Sequence, residues 1–405
     1  MIKILKSLGP GLLFAGAAIG VSHLVQSTRA GADYGFGLVW ALVIVNILKY
    51  PFFEFGARYA SATGNSLIDG YGKLGKWVLG AHYALSYLSI FTIQAAVTIV
   101  TAGLAINLFG ITNDPVIWSA IILAIALVIL IVGKYKLLDN LMKVIIITLT
   151  ITTIASVCIA IFKTDHTVSF QQIIPSDSVG IAFLIAFLGW MPAPLDVSIW
   201  NSIWTVEKKK QDPNIDPKKS LLDFNIGYVG TLILGACFVA LGALVMYGTG
   251  ESLSPKAIVF CNQLIEMYTD NIGSGAYIFI GAAAFTTMFS TTLSAFDASP
   301  RMMARSQEIL FDKSNAKKYY AIWIGVLFVG TLIILKFFIS SMGVMIKIAT
   351  ILSFLTAPFY AIINHILISG KHTPKEYHPS QALKILSIVG IVFLIGFSVW
   401  YLMNL

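Results

Sequence analysis

The chain has 405 residues, 57% of them hydrophobic and 11% charged, with a formal net charge of +8 and a mean hydropathy of +0.84. A soluble globular chain is roughly a quarter charged, so an ordinary soluble enzyme, a disordered protein and a nucleic-acid-binding domain are excluded. Apolar runs of the ~20 residues that a membrane span requires recur along the chain, and an all-α, polytopic membrane protein in a lipid bilayer is expected.

Hydropathy and punctuation place about eleven spans, near 10–32, 36–61, 77–108, 116–133, 139–162, 179–204, 222–248, 273–297, 318–339, 343–367 and 383–403. Span one follows Lys3 and Lys6, with no small-residue cleavage site to mark a removable signal. It carries the small and polar run Ala18-Ile19-Gly20-Val21-Ser22-His23 near its middle, then Arg29 and Asp33. Span two contains Lys49-Tyr50-Pro51-Phe52-Phe53-Glu54, in which Lys49 and Glu54 are expected to form a structural ion pair or a gate element. Span three has no Asp, Glu, Lys or Arg. Span six is interrupted at Gly189-Trp190-Met191-Pro192-Ala193-Pro194, where two prolines remove backbone donors at one depth. Asp196 follows one turn on, as a site residue or as a cap to the second half-helix.

The basic segment at 206–220 is expected to be a solvated, topology-setting loop. Residues 254–270 have Ile258, Val259, Leu264 and Ile265 on one face of a short amphipathic helix, either a lid or a helix lying on the membrane surface. Span eight carries Thr286-Thr287, Ser290-Thr291-Thr292, Ser294 and Asp297, hydroxyls that either bond back to their own helix or serve a ligand. A tight turn at Ser340, Ser341, Met342 and Gly343 separates spans nine and ten. Cys158, Cys237 and Cys261 are scattered and have neither disulfide-framework nor metal-ligand spacing.

Lysines and arginines decide orientation, because cytoplasmic loops keep the excess. Lys3 and Lys6, Lys73 and Lys76, Lys134 and Lys136, Lys208-Lys209-Lys210 with Lys218 and Lys219, Lys313, Lys317 and Lys318, and Lys371 and Lys375 fall on alternate loops. The opposite loops carry mostly acids: Asp114, Asp165, Asp177, Glu251, Glu266 and Asp270, with Lys163 and Lys256 as exceptions. The expected placement is a cell inner (cytoplasmic) membrane, with the amino terminus cytoplasmic and the carboxyl terminus outside.

A membrane helix tolerates a backbone break only where the freed groups are buried in protein or line a cavity. Breaks in spans one and six are equivalent positions if the chain is two five-helix halves, about 10–162 and 179–367, plus an extra helix at about 383–403. Paired interruptions of this kind point to a midplane substrate site in an inverted-repeat transporter. Kinks in merely packed helices are the simpler alternative.

Gly9-Pro10-Gly11 with Ala30-Gly31-Ala32-Asp33-Tyr34-Gly35, Arg58 with Thr63-Gly64-Asn65-Ser66-Leu67, and Met191-Pro192 resemble the Nramp family of proton-coupled divalent-metal transporters. The resemblance implies a LeuT-type fold of two inverted five-helix repeats. It also implies a metal site made of an Asp-Pro-Gly-Asn break in span one and a Met-Pro-His break in span six. Matched residue by residue, Gly20 stands at the aspartate and His23 at the asparagine, with Val21 and Ser22 between; Met191 keeps the thioether and Ala193 stands at the histidine. The acids that such transporters place on span three for proton passage are absent.

His23 and Met191 alone make a weak, neutral pair for a divalent ion, which needs charge compensation in a low-dielectric site. Asp196 and Glu54 are the candidates to supply it. His23 is read as a ligand-facing residue over a packing one, and an imidazole also titrates near neutral pH. Arg29 is expected to pair with Asp33 or another acid, or to attract anions. By resemblance to LeuT-type sodium symporters, Thr286 and Thr287 are a possible sodium site that would replace the proton.

The function expected is therefore secondary-active transport of a small inorganic ion, by family default a divalent metal cation. The alternative is a small anion such as bicarbonate, or a small polar solute, with Na+ or H+ as coupling ion. A non-transporting membrane sensor is the second alternative. No nucleophile–base or paired-acid pattern suggests an enzyme, and no cofactor is expected.

Overall fold

A computed structural model of the chain describes residues 9–163, 168–212, 216–250, 252–273, 277–311, 315–338 and 342–403, without the side chains at 133–143, 268, 270–272 and 279. Lys3, Lys6, Asp165, Pro213, Glu251, Lys313, Ser340 and Ser341 lie outside these residues, as do the side chains of Lys134, Lys136 and Asp270. The helices are α1 (Pro10–Ala18), α2 (Ser22–Tyr34), α3 (Val39–Thr63), α4 (Leu67–Leu74), α5 (Lys76–Phe109), α6 (Pro115–Lys163), α7 (Ser178–Trp190), α8 (Val197–Gln211), α9 (Pro217–Val245), α10 (Ala257–Ile272), α11 (Tyr277–Phe311), α12 (Ala316–Phe337), α13 (Met342–Ser369) and α14 (Gln381–Met403). Among the described residues there is no strand.

Eight stretches of these helices are long and apolar enough to cross a membrane, or nine when α1 and α2, bent by 46° at their join, are taken as one span. The sixth and eighth expected spans fall on α7–α8 and on α11. Spans four and five differ from expectation in their connection. The residues between their apolar stretches, Pro115–Val132 and Val144–Lys163, are helical, so the loop expected near 133–139 is replaced by continuous helix α6. No proline or glycine run stands between the two stretches to force a stop.

Lipid gives no hydrophobic drive for helix association, so close backbone packing at small residues carries it. The α1–α2 pair lies on α9 in this way. A Cβ on Gly11 would meet Asp223 O at 2.1 Å, and one on Gly227 would meet Gly11 O at 2.1 Å. Gly31 and Gly242 make the equivalent contact at the other end, with Cβ positions 2.0 Å from Val239 O and 2.1 Å from Thr28 O. The Asp223 carboxylate also accepts from the free amides of Gly9 at 3.1 Å and Gly11 at 2.9 Å. These amides sit at the start of α1, where a carboxylate satisfies orphan donors and the positive helix end.

The Thr63–Leu67 motif has a local purpose too. Gly64 ends α3 in the left-handed region, φ 71°, and Ser66 with Asp69 forms the capping box that starts α4. The amphipathic segment near 254–270 is α10. It packs against α5, where Cys261 meets Val100 O and Asn107 Nδ2 donates to Ile258 O; Phe260, Cys261, Leu264 and Ile265 are all buried, while Val259 is exposed. Its apolar face therefore meets protein and not the membrane surface.

Candidate functional site

The two breaks face one another. α1 ends at Ala18, and the chain passes Ile19 and Gly20 before a π-helical turn at Ser22–Ser27; such turns often mark functional positions. α7 ends at Trp190, and α8 begins after Met191, Pro192, Ala193 and Pro194. Met191 is fully buried and its Sδ accepts from Ser27 Oγ at 3.8 Å. Between the breaks lies a cavity of about 20 Å³, lined by Ala18, Val21, Ser22, Trp190, Pro194 and Trp200 with parts of α5 and α11. That is room for about one water. Its walls are largely apolar, with the hydroxyls of Ser22 and Thr291 as polar groups.

Gly20 is set by packing. A Cβ there would stand 2.5 Å from Thr291 Oγ1 of α11. Thr291 Oγ1 itself donates to Gly16 O at 3.0 Å, and Ser290 Oγ contacts the same carbonyl at 3.3 Å. These are the span-eight hydroxyls beside the span-one break. Thr286 points away, is exposed, and bonds back to Ala282 O at 2.8 Å; Thr287 is buried and bonds back to Ala283 O at 2.7 Å. The hydroxyl pair expected to face the break at 286–287 thus lies one turn too early, and 290–291 is the pair that meets it.

His23 does not turn into the cavity. Its ring is fully buried, with Nε2 donating to Thr231 O of α9 at 2.9 Å and Nδ1 2.7 Å from Ser22 Oγ and 3.1 Å from Ala18 O. Neither ring nitrogen is left for a metal. The expectation of a ligand-facing imidazole is corrected: the ring ties the broken end of α1 to α9. With its one proton given to Thr231 O, Nδ1 faces the hydroxyl of Ser22, and the Ala18 carbonyl that the break exposes accepts from Ser22 Oγ and from Gly20 N at 2.9 Å.

Lys49 and Glu54 are not a pair. Glu54 accepts from its i+4 neighbour Arg58, with Arg58 Nε at 2.9 Å and 3.0 Å from the two oxygens. Lys49, fully buried, reaches the span-six break instead. Its Nζ donates to Leu188 O and Gly189 O at 2.7 Å each and lies 3.4 Å from Ala193 O. The same break places Asp196 within electrostatic reach of Lys49. Asp196 is buried, and its Oδ1 has no hydrogen-bond partner. Ala193 contributes this carbonyl, not a side-chain ligand.

A titratable group on span three escaped a count of charged residues. His82 of α5 is fully buried, with Nδ1 3.2 Å from Ser86 Oγ and 3.4 Å from Tyr360 OH, and with Nε2 unpartnered. Tyr71 packs edge-on against it and donates to Asn364 Oδ1 at 2.6 Å. The signal available was a histidine at a helical spacing of four from Ser86, near the start of an otherwise uncharged span.

Two vestibules flank the breaks. One, about 300 Å³, is lined by Gln26, Arg29 and Lys347 among apolar groups, with no acidic residue in its wall. Arg29 Nη2 donates to Ser254 O at 2.7 Å and Leu253 O at 3.2 Å, and its Nε is buried and unpartnered. Its hydrogen bonds thus go to carbonyls, with Asp33 an electrostatic neighbour. The other, about 480 Å³, is lined by Asp69, Glu207, Lys210, Arg301, Arg305 and Glu308 among others. Arg305 bridges Asp69 of α4 at 2.6 Å and Glu308 at 3.0 Å across its mouth. Among the described residues no group of three or more His, Cys, Asp or Glu is placed to hold a metal ion.

A family model described as natural resistance-associated macrophage protein-like matches residues 11–404. A Pasteurella multocida protein described as uncharacterized, PM0681, is 34% identical over 98% of this chain and 92% of its own. The divalent metal cation transporter MntH of Listeria welshimeri is 26% identical over 62% of this chain, a match that spans 57% of its own length. Among solved structures, the Eremococcus coleocola manganese transporter is similar with TM-score 0.69 at 13% identity, covering 100% of this chain and 95% of that one. The nucleobase-cation-symport-1 family transporter Mhp1 gives TM-score 0.63 at 16% identity, over 98% and 92%. At these identities the likeness speaks for the fold, a LeuT-type arrangement with broken first and sixth spans.

Proposed function

The chain belongs to the Nramp, or natural resistance-associated macrophage protein-like, family of membrane transporters, and from that premise we propose that it moves a small inorganic ion or solute by alternating access about the two breaks. The observation that carries this reading is the meeting of two interrupted helices around a water-sized cavity, the arrangement expected at a transporter's midplane site. The rocking units are the halves at about 10–162 and 179–367, with the helix at about 383–403 outside them. Apolar spanning helices favour an inner (cytoplasmic) membrane, and the lysine pattern favours the amino terminus inside and the carboxyl terminus outside.

A divalent metal is the cargo suggested by the named relatives. Its ligands would be the Met191 thioether, the Asp196 carboxylate and main-chain carbonyls at the breaks, since His23 is taken and Gly20 and Ala193 offer no side-chain donor. A specific observation favours a second cargo, a small anion such as bicarbonate or a small polar solute. The Lys49 ammonium already lies on the carbonyls of the span-six break, with Asp196 as its acidic neighbour, and the charged residues lining the Arg29 vestibule are Arg29 and Lys347. A divalent cation approaching there meets like charge in a low-dielectric setting, which is costly.

The test is uptake into proteoliposomes of purified protein, against protein-free vesicles. Saturable Mn2+ uptake that Met191→Ala abolishes would establish the metal reading. No Mn2+ uptake, together with saturable exchange of radiolabelled bicarbonate, would establish the anion reading. Repeating the active assay under an inward Na+ or H+ gradient identifies the coupling ion. Loss of both uptakes from folded protein would overturn both cargoes.

A further inference from the structure

In a broken-helix transporter the free carbonyls at a half-helix C-terminal end are where a cation is coordinated, because that end carries orphan acceptors and the negative pole of the helix. In this chain a side chain already occupies the position. The Lys49 ammonium has three donors and meets three carbonyls, Leu188 O, Gly189 O and Ala193 O, at 2.7, 2.7 and 3.4 Å. It comes from α3, which is remote in sequence, and is fully buried. The acid on its own helix, Glu54, is engaged by Arg58, so Lys49 is not held there by an intrahelical partner. Asp196, two residues beyond Pro194, adds a single compensating charge.

We propose that the Lys49 ammonium is a tethered cation that fills the cation position of the span-six break, so that no free metal or alkali ion binds there. Leu188, Gly189 and Ala193 then form a site for a monovalent cation that becomes open only when the lysine is removed. For transport, which rests on the reading above, this makes the cargo an anion or a neutral polar solute, with its charge balance set by Lys49 and Asp196.

The experiment is thermal unfolding of the purified full-length protein in detergent, with NaCl or MnCl2 titrated against choline chloride. Wild type should show no saturable shift in Tm with either cation. Lys49→Ala should melt lower in choline chloride and recover by several degrees as Na+ is added, the linkage expected of a ligand that binds the folded state alone. Lys49→Arg, which keeps a charge, should stay indifferent to Na+. Saturable stabilisation of wild type by Na+ or Mn2+ overturns the proposal, and so does a folded Lys49→Ala that ignores both ions. Should Lys49→Ala not fold, Lys49→Gln replaces it; should neither fold, the wild-type titration decides, indifference upholding the proposal and stabilisation sinking it. The readout needs no cargo, so its failure is distinct from failure of the transport reading.

Discussion

A side chain at position 20 has no room, since its Cβ would lie 2.5 Å from Thr291 Oγ1 and 2.9 Å from Thr291 Cβ. Introducing a carboxylate there by Gly20→Asp is therefore expected to destabilise the protein by about 1–3 kcal/mol through overpacking, read as a lower Tm. Adding Thr291→Gly should recover much of that loss. If Gly20→Asp alone melts like wild type, the contact is softer than the packing implies. Nothing in the residues at 18–23 announces this limit, because Thr291 lies far along the chain and reaches Gly20 only through the packing of α11 on α1. The buried Glu54–Arg58 pair gives a second residue-scale expectation. Arg58→Met leaves a carboxylate buried without its partner and should cost about 3–5 kcal/mol, whereas Glu54→Gln with Arg58→Met should recover part of it. Equal melting of the single and double variants would mean that the ion pair contributes nothing.

At the scale of elements, the glycines carry the docking of α1–α2 on α9. Gly227→Leu forces α9 off the carbonyl of Gly11, and the variant should lose its monodisperse peak on size exclusion in detergent, while Gly230→Leu, where a Cβ meets nothing within 4 Å, should not. Equal behaviour of the two would remove the close contact as the cause. The motifs at 9–11 and 30–32 that resemble the family are thus explained by packing, and those at 63–67 by helix ends. They were legible from sequence because small residues and caps are local signals. His82 is the opposite case. Its element, α5, reads as charge-free and unsuited to protons, yet packing surrounds one imidazole with Tyr71, Ser86 and Tyr360, with Asp196 electrostatically coupled to both tyrosines. If uptake proves to be driven by a proton gradient, His82→Gln should abolish that dependence while leaving exchange without a gradient intact. A gradient dependence that survives the substitution places the proton elsewhere.

For the whole molecule, the lysine pattern makes a sided prediction. In a cysteine-free background, Lys371→Cys should react with a membrane-impermeant maleimide only in inside-out vesicles, and Lys256→Cys only in right-side-out ones; both positions are exposed. The reverse pattern would invert the orientation. The cavity between the breaks holds about 20 Å³, the size of a single water.

The sequence by itself determined that the chain is a multi-span membrane protein, which spans are broken, and which side chains stand at the two breaks. Those are statements about apolar length, prolines and side-chain identity, all of which are local. The tertiary structure decided where the buried polar groups go: Lys49 to Leu188 and Gly189, 139 and 140 positions away, and His23 to Thr231, 208 away. The sequence has no mark for this, because the partners are main-chain carbonyls. Every residue has one, and only the broken helix ends, brought beside a distant side chain, leave particular carbonyls free to accept.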